Sequence, residues 1–125
     1  MTTGEKTLYQ RLGGYDVIAA VVDDLFGSLR ADPRFARFGM GRSLDSHHRA
    51  RQLLIDQVCN LAGGPCFYTG RDMKTSHLGL GITEGDWDAN MEYAASALRK
   101  NGVPEREQAE FLALFTRYKS EIVES

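Results

Sequence analysis

Gly63, Gly64 and Pro65 interrupt a strongly helical pattern near the middle of the chain. Before this break, apolar residues recur at three- and four-residue spacing, as they do on the buried face of an α-helix. They are Leu54, Ile55, Val58, Cys59 and Ala62. Glycine favours the end of a helix, and proline cannot continue it because it lacks the amide hydrogen. The break therefore predicts a helix end here and a separate element after it.

Similar apolar stripes occur on both sides of the break, whereas a convincing period-2 strand pattern does not. One stripe stops near Asp32-Pro33, a second begins after the capping residue Thr83 and ends at Asn101-Gly102, and a third begins at Pro104. Their members are Ile18, Val21, Val22, Leu25, Phe26 and Leu29; Trp87, Met91, Ala94, Ala95 and Leu98; and Phe111, Phe115, Tyr118 and Ile122. The pattern predicts a single all-α domain over residues 1–125, with residues 1–6 as a flexible segment.

Composition excludes several classes of function. The chain has 125 residues, 42% of them hydrophobic and 26% charged, which is ordinary for a globular domain. A net charge of −2 gives no general attraction for nucleic acid or anionic lipid. No run approaches the roughly 18 apolar residues of a membrane span, and no apolar signal-peptide stretch opens the sequence. We therefore expect a cytoplasmic protein without nucleic-acid or membrane partners.

Cys59 and Cys66 stand on either side of the glycine-proline break. Without a secretory signal a disulfide is not expected, and the spacing fits no zinc motif. The pattern predicts that Cys59 is a small core residue and that Cys66 lies in a loop. A redox-regulated bridge between the two stays open as an alternative.

The segment from Gly63 to Gly81 reads GGPCFYTGRDMKTSHLGLG and contains His77. It predicts a short helix with Met73 one turn before His77 and glycine-containing loops at both ends. An imidazole presented from such a helix into an apolar pocket is a suitable ligand for a haem iron. By spacing alone, a single histidine near a methionine is more often a surface or capping residue than a metal ligand.

The wording of this segment, with GGP, YTG, Met73, His77 and Ile82, resembles the group 1 truncated haemoglobins. TLYQRLGG at residues 7–14 resembles the opening of that family, and Val21-Val22-Asp23-Asp24 resembles its second helix. The resemblance extends from Thr7 to about Ile122. It implies four main helices packed two-over-two around haem b, iron protoporphyrin IX, with His77 as the proximal iron ligand.

The resemblance also implies which side chains surround the haem. The predicted pocket residues are Phe26, Phe38, Leu54, Val58, Tyr68, Arg71, Met73, Lys74, Ile82 and Trp87. Arg71 and Lys74 are placed to approach the haem propionates, and Met73 should face the same way as His77. As plain core residues, the apolar members would give the same sequence pattern.

The distal side departs from the family. Phe26 stands where relatives commonly have a tyrosine that donates a hydrogen bond to bound oxygen, and the two distal-helix positions that often hold polar partners fall on Ala50 and Leu54. None of the three can donate, so we expect weak oxygen retention and easy autoxidation. A shifted helix could instead bring in another donor or a sixth ligand; the candidates are His47, His48, Gln52 and Gln57. Adjacent helical residues point about 100° apart, so at most one of His47 and His48 could face the iron.

The resulting prediction is a haem protein that binds oxygen, carbon monoxide or nitric oxide, for oxygen transport or nitric oxide handling, as a monomer or weak homo-oligomer. Enzymatic nitric oxide dioxygenation would need an external reductase, because the chain has no flavin or dinucleotide fingerprint. A haem-based gas sensor is a further alternative. A non-haem helical interaction module, in which His77 is incidental, is the most distant one.

Overall fold

The computed structural model describes residues 6–35, 44–70 and 81–124, and its elements within these ranges are all α-helices. They are α1 (Leu8–Leu12), α2 (Tyr15–Ala31), α3 (Leu44–Leu61), α4 (Glu84–Lys100), α5 (Glu105–Thr116) and α6 (Lys119–Ile122). None of the helices in this part of the chain is long and apolar enough to cross a membrane. The all-α prediction is confirmed.

Capping interactions fix where two of the helices begin. Thr83 accepts a hydrogen bond from the Asp86 amide at 3.1 Å, and the Asp86 carboxylate accepts one from the Thr83 amide at the same distance. Thr7 and Gln10 form the same reciprocal box before α1. Each box satisfies amides that the first turn of a helix leaves without a partner. The predicted cap at Thr83 is therefore confirmed.

Four main helices pack in two pairs. Helix α2 packs against α3 and α4, and α4 packs against α5. This is the predicted two-over-two arrangement. The side chains with less than 2% exposure lie at its centre: Ile18, Val21, Val22, Ile55, Val58, Cys59 and Leu98. Short helix α1 closes one side, where the Arg11 guanidinium donates to the Glu110 carboxylate of α5 at 2.9 Å (Nη2 to Oε1).

The last apolar stripe does not form one continuous helix, as its spacing predicted. Helix α5 ends at Thr116, and a turn at Arg117 and Tyr118 separates it from α6. Phe111 lies in the central core, whereas Ile122 packs beside Trp87. One straight helix would carry both residues along a single face.

A buried carboxylate ties the end of α2 to α4. Asp32 is 8% exposed and accepts hydrogen bonds from Arg34 Nη2 at 2.8 Å and from the Tyr93 hydroxyl at 2.5 Å. These donors stabilise the ionised form, so Arg34 first and Tyr93 second hold the pKa of Asp32 well below its usual range. The network therefore contributes to folding only while Asp32 is charged.

We expect this network to appear in the acid dependence of stability. Because the pKa of Asp32 is lower in the folded protein, its contribution is present above about pH 3.9, the ordinary aspartate value, and is lost as the pH falls further. Asp32→Asn should lower the free energy of unfolding near neutral pH, and the gap to wild type should narrow in acid. Urea unfolding between about pH 6 and pH 3 measures both curves, with Asp88→Asn on the exposed side of α4 as the matched control. Parallel curves for wild type and Asp32→Asn would contradict this role.

Candidate functional site

Within residues 6–35, 44–70 and 81–124, buried and partly buried apolar side chains form two clusters that share Phe115. The core cluster joins side chains from α1 to α5. Its buried members are Leu12, Ile18, Val21, Val22, Leu25, Ile55, Val58, Cys59, Ala62, Ala94, Ala97, Leu98, Val103 and Phe111. The Trp87 cluster consists of Trp87 and Ile122 with partly buried Tyr68, Ile82, Met91, Phe115, Tyr118 and Val123 around them. Large apolar side chains at the margins of both clusters keep part of their carbon surface exposed. Such surface is what an apolar ligand covers when it binds.

The predicted pocket residues within the described ranges fall into these two clusters. Phe26 and Leu54 are partly buried at the margin of the core cluster, and Val58 is inside it at 1% exposure. Tyr68, Ile82 and Trp87 are together in the Trp87 cluster. The residues predicted to contact one ligand thus lie in two groups. One group is on α2 and α3, and the other is around Trp87.

One side of α3 carries the predicted distal residues. Ala50 and Leu54 are four positions apart and Gln57 follows three positions later, so the three lie on neighbouring turns of one side. Ala50 and Leu54 are partly buried, and Gln57 is 7% exposed. Among the described residues of this side, Gln57 is the one with a buried side-chain amide, and it interacts with another group of the protein.

Polar contacts between α2 and α3 keep Gln52 at the surface. Its side-chain amide donates to the Tyr15 hydroxyl at 2.7 Å and to the Asp56 carboxylate at 3.0 Å. Beside it, Arg51 Nη2 donates to Asp23 at 3.0 Å, and this hydrogen bond lowers the pKa of Asp23. These contacts fix the rotation of α3 about its axis. Gln52 therefore points away from the side that carries Ala50 and Leu54.

The two cysteines form a disulfide, which corrects the expectation that they are unpaired. Cys59 lies in α3 at 0% exposure, and Cys66 lies in the following loop, with 5.7 Å between their Cα atoms. The predicted positions in core and loop are correct. The turn at Gly63-Gly64 reverses the chain, and this brings Cys66 back to the helix end within disulfide reach. The pairing follows from this proximity, which the spacing of the two cysteines in the sequence does not show.

Comparison with known proteins identifies the fold and the family together. Residues 7–124 match the family model of the bacterial-like globins. The chain belongs to that family. It is 32% identical over 98 residues to a group 1 truncated haemoglobin of Tetrahymena pyriformis, covering 78% of each chain. It is 29% identical to the group 1 truncated haemoglobin GlbN of Mycolicibacterium paratuberculosis, over 93% of this chain and 83% of that protein.

A solved structure confirms the helical arrangement of the globin. The Fe(III) form of truncated haemoglobin from Tetrahymena pyriformis superimposes with a TM-score of 0.86 at 25% identity, covering 96% of this chain and all of the other. The resemblance to group 1 truncated haemoglobins is therefore confirmed. Membership of this family implies a haem protein that binds diatomic gases.

The side chains of this globin fit a haem. A porphyrin is largely apolar on its faces, and the margins of the core cluster and the Trp87 cluster supply apolar and aromatic surface. Haem supplies an iron that binds gases. In this chain, Phe26 and Leu54 on one side and Tyr68, Ile82 and Trp87 on the other would hold it and exclude water. Five predicted residues fall outside the described ranges: Phe38, Arg71, Met73, Lys74 and His77.

The two neighbouring histidines of the globin differ in burial. Both lie in the first turns of α3, where the sequence pattern predicted them. His47 is partly buried and His48 is exposed. His47 also shares the side of α3 that carries Ala50 and Leu54, because it is three and seven positions from them. Of the two, His47 is the better candidate for an internal ligand.

Sequence reasoning missed five members of the Trp87 cluster as candidate pocket residues: Met91, Phe115, Tyr118, Ile122 and Val123. Met91 and Phe115 were predicted only as members of helical stripes, yet both pack against this cluster. The position of Met91 could have been inferred from the sequence, because it lies one turn after Trp87 on the same side of α4. The position of Phe115 could not, since its contact with both clusters depends on how α5 docks against α4.

Proposed function

We propose that this globin binds oxygen, carbon monoxide and nitric oxide at the iron of haem b, with His77 as the proximal ligand. The observation that carries the proposal is the division of the apolar residues into two clusters, which places partly open apolar surface on α2 and α3 and around Trp87. Family membership supplies the cofactor class. His77 and Met73, one turn apart in the predicted haem helix, would contact the iron and the porphyrin, and Arg71 and Lys74 the propionates.

The distal side supports weak retention of oxygen. Phe26, Ala50 and Leu54 offer no hydrogen-bond donor, and Gln52 is held at the surface by Tyr15 and Asp56. Carbon monoxide depends less on such a donor than oxygen does, because bound oxygen carries more negative charge. We therefore expect fast oxygen release and ready autoxidation. Reversible gas binding then requires a cellular reductant that returns the iron to the ferrous state.

Phe26→Tyr is expected to slow oxygen release. The phenol would put a donor on the distal side, and a hydrogen bond to a charged group contributes about 1.5–3 kcal/mol. The oxygen dissociation rate should fall on the order of tenfold or more, with a much smaller change for carbon monoxide. Stopped-flow displacement of oxygen by carbon monoxide measures this rate.

Phe67→Tyr is the matched control for this substitution. It adds the same hydroxyl to a side chain that is 80% exposed, and it should leave both ligand rates unchanged. An oxygen off-rate that is already slow in wild type and insensitive to Phe26→Tyr would contradict the apolar distal pocket. It would instead indicate a donor such as Gln57.

Nitric oxide dioxygenation by the same site is a second candidate. It would use an external reductase to renew the ferrous iron between turnovers, and it fits the expectation of ready oxidation. The predicted location is the cytoplasm, where such reductases are available. For either candidate function, we expect the oligomeric state to be a monomer or a weak homo-oligomer. Turnover of nitric oxide to nitrate only when a reductase and NADH are both added would distinguish this candidate from simple gas binding.

Absorption spectroscopy of the purified protein tests the proposed function directly. We expect wild type, saturated with haem, to show a ligated ferric Soret band, a ferrous form after dithionite, and a carbon monoxide complex. A protein that stays colourless after addition of haem would overturn the proposal and favour a helical interaction module.

A further inference from the structure

The Cys59–Cys66 disulfide ties the end of α3 to the loop that follows it. Around it, the Gly64 amide donates to the Cys59 carbonyl at 2.8 Å, and Asn60 Nδ2 donates to the Cys66 carbonyl at 3.0 Å. Further along the same loop, Tyr68 packs against the Trp87 cluster. The disulfide therefore stands between the core helix and a predicted wall of the haem pocket.

The two sulfur atoms differ in access. Cys59 has no exposed surface, and a side chain on Gly64 would come within 2.8 Å of its Sγ, so the backbone of Gly64 covers it closely. The Tyr9 ring lies against the same glycine. Cys66 is partly buried in the loop, next to Phe67, which is 80% exposed. An external thiol would therefore reach Sγ of Cys66 first.

We propose that this disulfide is a reversible redox site, opened by glutathione or by dithiol reductants, that controls how firmly the loop at residues 65–70 holds the Trp87 cluster. The consequence for haem rests on the proposed function. With the bond closed, Tyr68 stays against Trp87 and Ile82. With the bond open, the loop loses its covalent tie to the core and this wall loosens, so haem leaves faster.

The exchange follows ordinary thiol-disulfide chemistry. A thiolate of the reductant attacks Sγ of Cys66, the bond between the cysteines breaks, and Cys59 leaves as a thiolate that takes up a proton. The second thiol of the reductant then attacks the mixed disulfide. This step releases Cys66 as a thiol, and the reductant ends as its own disulfide. Oxidised glutathione can close the bond in two steps: a Cys66 thiolate attacks it and releases one glutathione, and a Cys59 thiolate then attacks the mixed disulfide and releases the second.

Such a site accounts for a disulfide in a chain that is predicted to be cytoplasmic. Disulfides of cytosolic proteins are usually transient or redox-sensing, because glutathione and thioredoxin keep thiols reduced. A bond of this kind needs one accessible sulfur, and Cys66 supplies it. The buried Cys59 keeps its position after reduction because it is fixed in α3, so the bond can form again when the loop brings Cys66 back.

Limited proteolysis tests the structural half of the proposal without any haem readout. Chymotrypsin cleaves after aromatic residues, and Phe67 and Tyr68 lie in the tethered loop. Reduction with dithiothreitol, confirmed by alkylation of two cysteines, should raise the rate of cleavage at these residues on the order of tenfold, whereas cleavage elsewhere should change little. An unchanged rate in the fully reduced protein would overturn the proposal.

Haem transfer tests the functional half in the haem-loaded protein. Ferric samples, oxidised or reduced and freed of dithiothreitol under argon, are mixed with excess apomyoglobin as haem acceptor. Reduction should raise the rate of haem loss on the order of tenfold, which corresponds to 1.4 kcal/mol. The double variant Cys59→Ala/Cys66→Ala should lose haem at the fast rate with or without dithiothreitol. Equal rates in oxidised and reduced wild type would overturn this half.

The two readouts separate the possible failures. If reduction speeds cleavage but the protein takes up no haem, the redox site is supported and the proposed function is overturned. Normal haem binding with a bond that glutathione mixtures cannot reduce would show a purely structural disulfide. Titration of wild type with glutathione shows whether the bond can be reduced, even if the double variant does not fold.

Discussion

Replacing His77 with glycine is expected to abolish the ligated Soret band of the haem-loaded protein. The imidazole is the predicted proximal ligand, and glycine offers the iron nothing in its place. Haem should then bind weakly through apolar contacts alone and transfer readily to apomyoglobin. Free imidazole should enter the space left by the side chain and restore a ligated spectrum. Ferric and dithionite-reduced absorption spectra, with and without imidazole, measure both effects.

His48→Gly is the matched control for this experiment. It removes an imidazole that is exposed on α3, and it should leave the spectrum unchanged. A normal Soret band in His77→Gly would contradict the assignment of the proximal ligand. A spectrum that changes on removal of His47 would show that the iron takes an internal sixth ligand from α3.

Leu98→Ala is expected to cause the largest loss of stability in the core. Leu98 has 0% exposure in α4 and packs in the core cluster with residues from α2 and α3. Removing a fully buried leucine costs about 2–5 kcal/mol, because apolar contacts are lost and a cavity remains. The thermal midpoint should fall by roughly 10 °C or more in a domain of this size.

The thermal midpoints of wild type and Leu98→Ala must be measured at equal haem occupancy, because a ligand that binds only the folded state raises apparent stability. Leu53→Ala is the matched control: Leu53 is partly buried on α3 and belongs to neither cluster of the described residues. Its thermal midpoint should change much less. Equal losses for the two variants would mean that burial in the core cluster does not determine the contribution of a leucine.

Most of the helical architecture was predictable from local signals. Thr83 and Asp86 cap α4, Pro33 and Gly63 lie just beyond the ends of α2 and α3, and each such signal depends on a few neighbouring residues. The break between α5 and α6 was not predictable. The spacing of Phe111, Phe115, Tyr118 and Ile122 suits one helix, and only the position of Trp87 makes a turn favourable.

The disulfide escaped prediction for a similar reason. Seven positions between two cysteines do not fix the distance between their sulfur atoms. That distance depends on the chain reversal at Gly63 and Gly64, where Gly63 adopts φ +90°, and on the close fit of Gly64 against Tyr9. Because both are tertiary effects, the spacing alone cannot predict the bond.

The family resemblance names residues for the candidate site but not the orientations of their side chains. Phe26, Leu54, Ile82 and Trp87 follow from the family pattern, and the structure groups them into two clusters. The orientation of Gln52 could not be inferred, because it depends on hydrogen bonds to Tyr15 of a different helix. Hydrogen bonds between helices set the rotation of α3, and a helical stripe does not encode them.

The ion pair between Arg11 and Glu110 joins residues that are 99 positions apart. During synthesis, α1 therefore lacks its partner on α5 until nearly the whole chain has left the ribosome. Long-range contacts of this kind slow folding, since the intervening chain must be ordered first. Helices α2, α3 and α4 can associate earlier, and α1 can already contact α2 and the end of α3. A ribosome stalled before Glu105 would thus leave Arg11 without its ion-pair partner on α5.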